Sequence, residues 1–493
     1  MLHSIRRTAR RKTLSASLRL SWRPGVSASD AGDGTLVVQG PGGRASLRQV
    51  APAVREALGL CEPPGEDEER LAELVQAGGD GVLARWYYYL ERLTRRGLLC
   101  LGAHADGARL ATLVAVSPSF VSLPGGVEAG RRYLLSRFAY LRRDGADAVL
   151  ESPLAHARVV LDDCRAAALV GALAATATAG ELADRVGGLS VEAISGVLTL
   201  LLRAGMLREA GDGGTCDEDE DAALQTWAFH DLLFHARSRK GRSSAPYGGT
   251  YRLADRLAPP PALKPPSPGE MHELYRPDLA RLERDDPPLA RVQERRQSVR
   301  AYDAQHPLTA RQLGEFLFRV ARVRDYREIE VQTPRGPVRM DFASRPYPAG
   351  GALYELELYV VVNLCAGLAA GLYHYDPARH GLTRLRGPTA ETEALLRDAA
   401  DSAAIPEGTL QTLLILAARF PRVAWKYESI AYALTLKHVG VVYQTMYLAA
   451  TAMGLAPCAV GGGDADLFAR AAATNYYAET SVGEFLLGGR RPG

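Results

Sequence analysis

The chain has 493 residues, 23% charged and 47% hydrophobic, with a formal net charge of +3. Its length predicts about two to four domains, its composition is that of an ordinary soluble globular protein, and so small a charge does not imply nucleic acid as a partner of the whole chain. The six cysteines come no closer than the 39 positions between Cys61 and Cys100, which excludes a CxxC zinc or disulfide framework and points to a reducing cytoplasm.

Residues 1–12 form a basic arm ahead of an alternating first strand, SLRLSWR, and no apolar signal core follows it. Residues 69–101 then read as helix, Gly-rich turn and helix, ending at Gly97 before a short strand. Residues 177–208 repeat the pattern at an offset of 108 positions: Glu73 matches Glu181, Leu93 matches Leu201 and Gly97 matches Gly205. A Gly just past a helix end supplies the left-handed cap. A β-hairpin is predicted ahead of each repeat, SLRLSWRPG with GTLVVQG in the first and RFAYLRRDGADAVLESP, turning at Asp144-Gly145, in the second. The pattern predicts two winged helix-turn-helix domains, at 1–120 and 121–240.

DNA binding is the first function such a shape suggests, and the side chains oppose it. The second recognition-helix equivalent, SVEAISGVLTLLLRAG, has almost nothing to read bases with, and its wing runs into the acidic GDGGTCDEDED. An open strand edge can instead take up a peptide as an extra strand. In the next helix His230 and His235 are five apart and do not stack as a metal pair would, so it reads as a packed amphipathic helix. Pro259, Pro260, Pro261, Pro265, Pro266 and Pro268 predict an extended, semi-rigid linker over 241–285, before a C-terminal domain at 286–493.

That domain opens with Arg296, Ser298 and Arg300 on one face of a predicted strand, two guanidinium forks about a hydroxyl that suit a phosphate. Thr309 and Gln312 form a capping box for the next helix. In SRPYPAGGALYELELYVVVN, the small residues Ala349, Gly350 and Gly351 let backbone approach a flat ligand, and Leu356, Leu358 and Val360 alternate with Glu355, Glu357 and Tyr359 along a strand. GLYHYDPARHGLTRL reads as a hairpin and TLLILAARF as an apolar strand. The strand feeds residues 421–463, around which the domain is organised: the pair Lys426-Tyr427, a helix apolar on almost every side to Met453, and a Gly-rich turn. Such a helix is buried in a large core or a subunit interface; Lys437, His438 and Gln444 make it a poor membrane span.

In order, RRQSVRAYD, RPYPAGGALYELELYVV, GLYHYDPARHGL, the pair in WKYESIAY, APCAVGG and the terminal LGGR resemble the SagB-type azoline dehydrogenases of the FMN-dependent nitroreductase superfamily. With two winged-helix units ahead of them, the whole chain resembles the cyanobactin-type thiazoline oxidases. The resemblance implies an α+β chain: two winged helix-turn-helix, peptide-clasp-like domains, then a dimeric FMN-dependent nitroreductase-like domain with a central mixed sheet and helices. It implies an oxidase that turns thiazoline or oxazoline rings of a modified ribosomal peptide into thiazole or oxazole, with oxygen taking the electrons.

For FMN it implies Arg296, Ser298 and Arg300 at the phosphate and ribityl chain and Arg490 near the phosphate. Pro348, Ala349, Gly350 and Gly351 lie against the isoalloxazine of the other subunit, and Gln444, Ala459, Val460 and Gly461 complete the cofactor set. Lys426 and Tyr427 match the catalytic pair; no metal is implied, and His438 is given no role. Ala349 stands where many relatives have Ser or Cys, which weakens a side-chain role there. The implied partners are an azoline-containing precursor peptide, whose leader the N-terminal domains would bind, a second copy of the chain, and a heterocyclase as a candidate.

Aromatising the ring needs a base. Unperturbed Tyr and Lys titrate near ~10 and ~10.4; an adjacent ammonium favours tyrosinate and burial favours neutral lysine, so either member of the pair can take the proton. A general FMN nitroreductase using NAD(P)H would share the cofactor cradle without needing the pair. A non-catalytic peptide-binding scaffold would keep the fold alone.

Overall fold

The computed structural model describes residues 18–491 apart from 33, 123, 124, 212 and 407, so the basic arm expected at 1–12 lies outside the described residues. The chain divides into two compact units, Met1–Ala245 and Pro246–Gly493, and each combines helices with antiparallel sheet, the α+β class expected.

In the first unit the two repeats form the helix pairs Glu68–Gln76 with Asp80–Arg95 and Ala179–Val186 with Val191–Arg203. Their starts follow from side chains: the Asp67 carboxylate accepts the Glu69 N–H at 2.9 Å, and Thr178 and Glu181 form a capping box. Gly97 and Gly205, at φ 62° and 74°, stop the second helix of each pair.

Where the sequence predicts two separate domains, one seven-stranded sheet runs through both, in the order Glu66–Asp67, Leu18–Trp22, Leu99–Ala105, Ala108–Ala115, Ala157–Leu161, Asp147–Glu151, Tyr140–Asp144. The join pairs Leu113 with Val159, and Leu93, Leu101, Leu198 and Leu201 from the two halves share one apolar cluster. Pairing Ala108–Ala115 with Ala157–Leu161 closes a strand edge on each half that would otherwise stand open.

The first predicted hairpin does not form. Leu18–Trp22 pairs with Leu99–Ala105, while Leu36–Gly40 belongs to a separate three-stranded sheet with Ser27–Asp30 and Gly43–Leu47. The second hairpin forms as read, with Asp144 opposite Asp147 and Gly145 at φ 65°.

The second unit is built on a sheet in the order Met271–Glu273, Gly381–Arg386, Gly371–Asp376, Leu356–Val362, Thr412–Arg419, Glu479–Gly489, Leu455–Val460. Every neighbouring pair is antiparallel, so the mixed sheet expected is not formed among the described residues. The reason lies in helix Ala431–Ala452, 22 residues and about 33 Å long, which carries the chain back across the sheet. Leu455–Val460 therefore runs in the same sense as Thr412–Arg419, and Glu479–Gly489 enters between them, antiparallel to both.

Helices Ala310–Ala321 and Ala431–Ala452 cover one face of this sheet, and Ala390–Ser402 and Ala465–Ala472 the other. Leu356–Val362 is consequently buried along its whole length rather than on one side. Its polar residues are met by partners: Arg419 Nε lies 2.8 Å from Glu357, and the Tyr359 hydroxyl donates to Glu479 at 2.6 Å. Against the cost of burial, Arg419, His374 and Arg345 hold the Glu357 carboxyl down at about 2.

The linker expected over 241–285 is corrected from Pro246 onward, because those residues belong to the second unit. Prolines cannot donate an N–H, but their carbonyls remain free acceptors. Buried Arg419 donates to the Pro261 and Ala262 carbonyls at 2.7 and 2.9 Å, Arg422 donates to the Pro260 carbonyl, and Lys264 pairs with Glu479 at 2.6 Å. The segment is a strap tied to the sheet.

The sequence reading also passes over a two-stranded ribbon, Asp325–Thr333 with Gly336–Ser344, in register over nine residue pairs. Met340, Val331, Val338 and Phe342 of this ribbon pack with Leu353, Val423 and Trp425. Along Ala431–Ala452, His438, Val439, Val442 and Met446 are buried while Tyr432, Leu436, Gly440 and Gln444, four apart, form an exposed stripe. Among the described residues no single helix is long and apolar enough to cross a membrane.

Candidate functional site

Strand Thr412–Arg419 runs into the short helix Phe420–Ala424, which has Pro at its start, and the chain then crosses in extended form through Lys426 and Tyr427. The strap clamps this crossing. Gly248 and Gly249 pair with Glu428 and Tyr427, the Tyr251 N–H donates to the Lys426 carbonyl at 3.1 Å, and the Trp425 indole N–H donates to the Leu257 carbonyl at 2.8 Å. The Thr250 hydroxyl donates to Glu428 at 2.9 Å.

The loop Pro348–Gly351 meets the pair from the other side. Gly351 stands at φ 63°, and a β-carbon built on it would lie 2.8 Å from Lys426 Nζ and 2.8 Å from Tyr427 Oη. The missing carbon marks the point where both functional heads approach the loop; the φ favours glycine, and a larger residue would have to push the ends of both side chains aside. Pro348 and Gly351 are exposed, which leaves this point open to a ligand. Lys426 Nζ also lies 5.3 Å from the centre of the Tyr427 ring and 5.6 Å from that of Tyr251, an arrangement that suits an ammonium. Behind the loop, the Gly350 N–H donates to His438 Nε2 at 2.7 Å, and His438 Nδ1 lies 2.7 Å from Glu355.

A second part of the site is basic. Helix Leu289–Arg295 ends in an extended segment, 296–300, that joins no ladder; the strand predicted there is replaced by a Val299 N–H bond to the Pro457 carbonyl at 2.8 Å and a bridge of Tyr302 with Arg490. Arg295, Arg296, Arg490 and Arg491, with Glu294, Gln297 and Gly454, line an open cleft of about 680 Å³. Four guanidinium groups against one carboxylate fit a phosphate. Arg300 does not line this cleft; it lies by Cys458 and Tyr302, where its charge opposes the upward push of burial on the thiol.

Ser298 is drawn to Tyr447, hydroxyl to hydroxyl at 2.7 Å, and Tyr447 also accepts the Ala459 N–H at 2.8 Å. The Arg296 guanidinium sits 5.2 Å from the Tyr447 ring. Tyr447 thus ties three predicted residues together, although nothing in the local sequence sets it apart. Ala459 and Val460 end strand Leu455–Val460, with Gly461 exposed just beyond. Opposite Val460, Glu484 has both carboxylate oxygens buried without a hydrogen-bond partner; burial, then Asp398 and Asp464, push it up to about 8. Gln444 stays on the exposed helix stripe and does not line the cleft.

The cleft thus suits a phosphate, and the glycine loop sets a phenol and an amine side by side at an exposed backbone point. The sequence reading names the pair, the loop and the arginines. It missed Tyr251, His438, Glu355 and Tyr447, which reach the site from distant positions.

Models of three families match the chain: ThcOx helix turn helix domain at residues 14–121, Cyanobactin oxidase ThcOx at 133–244 and Nitroreductase family at 294–480. Putative nitroreductase MJ1384 of Methanocaldococcus jannaschii is 31% identical over 196 residues, covering 39% of this chain and 85% of that protein. Microcin B17-processing protein McbC of Escherichia coli is 31% identical over 117 residues, covering 22% of this chain and 42% of McbC, so the match spans less than half of that relative. Among solved structures, the E. coli microcin synthetase McbBCD complex with truncated pro-MccB17 bound matches at a TM-score of 0.33 and 20% identity, over 54% of this chain and 92% of that one.

Proposed function

Because the chain belongs to the cyanobactin oxidase family, with its helix-turn-helix part and its nitroreductase part, we propose that it is an FMN-dependent oxidase of azoline rings. Its substrate is a thiazoline or oxazoline in a modified ribosomal peptide, its product the thiazole or oxazole, and oxygen is the terminal acceptor. The observation that carries this reading is the convergence of Lys426 Nζ and Tyr427 Oη on the Gly351 backbone, each 2.8 Å from the same point. A nitroreductase that only passes hydride from a nicotinamide has no use for two proton-handling heads there.

Arg296 and Arg490, assisted by Arg295 and Arg491, would hold the FMN phosphate, and Ser298, braced by Tyr447, the chain that follows it. The loop Pro348–Gly351 and the segment Ala459–Gly461 would flank the ring. Bound FMN supplies the two-electron acceptor for a hydride from the azoline ring. The protein's own part is the proton. Tyr427 Oη takes it from the α carbon, and Lys426, held between the rings of Tyr251 and Tyr427, faces the ring nitrogen as an ammonium. The strap keeps both backbones in place through the Tyr251, Thr250 and Trp425 hydrogen bonds.

A second copy of the chain covers the stripe Tyr432, Leu436, Gly440 and Gln444, giving a homodimer in which Gln444 and the loop reach the cofactor across the interface. The N-terminal unit takes the precursor peptide; a cavity of about 250 Å³ there, floored by Leu20, Leu90 and Phe120 and rimmed by Tyr87, is the place for an apolar side chain. The six free cysteines fit a cytoplasmic enzyme working beside a heterocyclase.

The test is an absorbance spectrum of the purified protein followed by mass spectrometry of a thiazoline peptide incubated with it in air. Flavin bands and a loss of about 2 Da per ring are expected. Flavin bands with rapid NADPH oxidation and no mass change would assign it instead to general nitroreduction.

A further inference from the structure

His438 is 5% exposed and Glu355 0%, and they meet beneath the glycine loop. The Gly350 N–H donates to His438 Nε2 at 2.7 Å, so that nitrogen carries a lone pair. The ring hydrogen is then on Nδ1, 2.7 Å from Glu355 Oε1, to which it is donated. Glu355 is itself anchored, because its backbone carbonyl accepts the Arg419 N–H at 3.0 Å. Three parts of the unit are thereby joined at one imidazole: the long helix, the start of the central strand and the loop.

The contact has little slack. A β-carbon on Gly350 would lie 3.1 Å from His438 Nε2 and 3.5 Å from Leu434, and the very next residue is the one that abuts Lys426 and Tyr427. We propose that His438 is a positioning residue: with its tautomer set by Glu355, it holds the Gly350 amide and so fixes Gly351 against Lys426 and Tyr427. The reaction it serves is the one proposed above, on which only the kinetic part of the test rests.

A purely structural role would make His438 a filler of buried space, for which phenylalanine is an adequate substitute. The positioning role demands an acceptor near the Nε2 site, which glutamine can present and phenylalanine cannot. Two quantities separate them: amide hydrogen exchange of residues 347–354, measured with and without FMN, and kcat and KM on a thiazoline peptide. For His438→Phe, exchange in 347–354 should accelerate by roughly tenfold or more with the rest of the unit unchanged. Its kcat should fall on the order of 100-fold, as expected for a displacement of about 1 Å, with KM altered by less than about threefold. For His438→Gln both quantities should stay within about fivefold of the parent.

Unchanged exchange in His438→Phe, or a glutamine variant no better than the phenylalanine one, would overturn the proposal. If His438→Phe does not fold, Glu355→Ala decides the matter. It removes the acceptor that holds Nδ1, so the imidazole is no longer kept against the Gly350 amide and the same segment should exchange faster; unchanged exchange counts against the clamp. If the parent protein leaves thiazoline untouched, the reaction is wrong, yet the exchange result still rules on His438.

Discussion

The basic cleft and the glycine loop hold their residues by opposite means. At the cleft, Arg295, Arg296, Arg490 and Arg491 converge from two ends of the unit on open space, each on a long flexible side chain. At the loop, one backbone point is fixed by Gly351, Lys426 and Tyr427 on one side and by a buried imidazole and carboxylate on the other. Overlapping charges tolerate the loss of one member because the others move. A point defined by space and buried hydrogen bonds tolerates only a side chain that restores the same bond. Affinity for the cofactor should therefore degrade gradually with substitution, and turnover abruptly.

The largest effect should come from the pair itself. Tyr427→Phe is expected to lower kcat by roughly 10²–10⁴-fold while the protein still purifies with flavin, and Lys426→Ala to follow it, as read by the mass change of a thiazoline peptide. Full turnover in both variants would remove the pair from the chemistry. Gly351→Ala comes next: its methyl group must displace Lys426 Nζ and Tyr427 Oη from 2.8 Å and tolerate φ 63°, so a loss on the order of 100-fold in kcat is expected with FMN affinity little changed. If Gly351→Ala instead released FMN and spared turnover, the loop would belong to the cofactor cradle alone.

At the cleft, Arg296→Ala and Arg490→Ala are each expected to weaken FMN binding by roughly tenfold, and the double variant by roughly 100-fold, in a fluorescence titration. The single variants should keep kcat at saturating FMN. A single substitution that abolished binding would show that one arginine, not the set, makes the site.

What could be read from the sequence follows the same division. Runs such as Pro348–Gly351 and Lys426-Tyr427 lie within a few positions, so the sequence displays them and the resemblance to the azoline dehydrogenases supplies the roles expected of them. The joins could not be read that way: His438 and Glu355 are 83 positions apart, and Tyr251 lies in a stretch whose prolines suggested only a spacer. The fold behaves likewise. The helix start at Thr309 was visible in its capping box, whereas the partner of Leu18–Trp22 was not, because an alternating strand pairs equally well with several others until tertiary packing chooses. Arg300 lies off the cleft for a related reason: it sits by Tyr302 and by Cys458, and only the tertiary fold brings the second to it.

The contrast between paired and unpaired buried groups yields the smallest and most specific expectation. Glu355 has His438 to receive its charge, whereas Glu484 has no hydrogen-bond partner for either oxygen and is pushed by burial, Asp398 and Asp464 from 4.5 to about 8. With a folded value above the unfolded one, the native state keeps a proton that the unfolded chain gives up as pH rises from 4.5 toward 8. The associated stability is complete below the lower value and is lost as pH climbs through the upper one, on the order of 5 kcal/mol in all. Thermal unfolding temperatures of the parent should therefore fall across this window, and those of Glu484→Gln, which is neutral throughout, should fall less steeply and cross above the parent on its alkaline side. Because Glu484 lies opposite Val460, at the end of the strand that also carries Ala459, the alkaline loss should begin in that segment: faster amide exchange at 459–463 in the parent and not in Glu484→Gln. Parallel melting curves for the two proteins would mean that water reaches the Glu484 carboxylate and that its burial costs little.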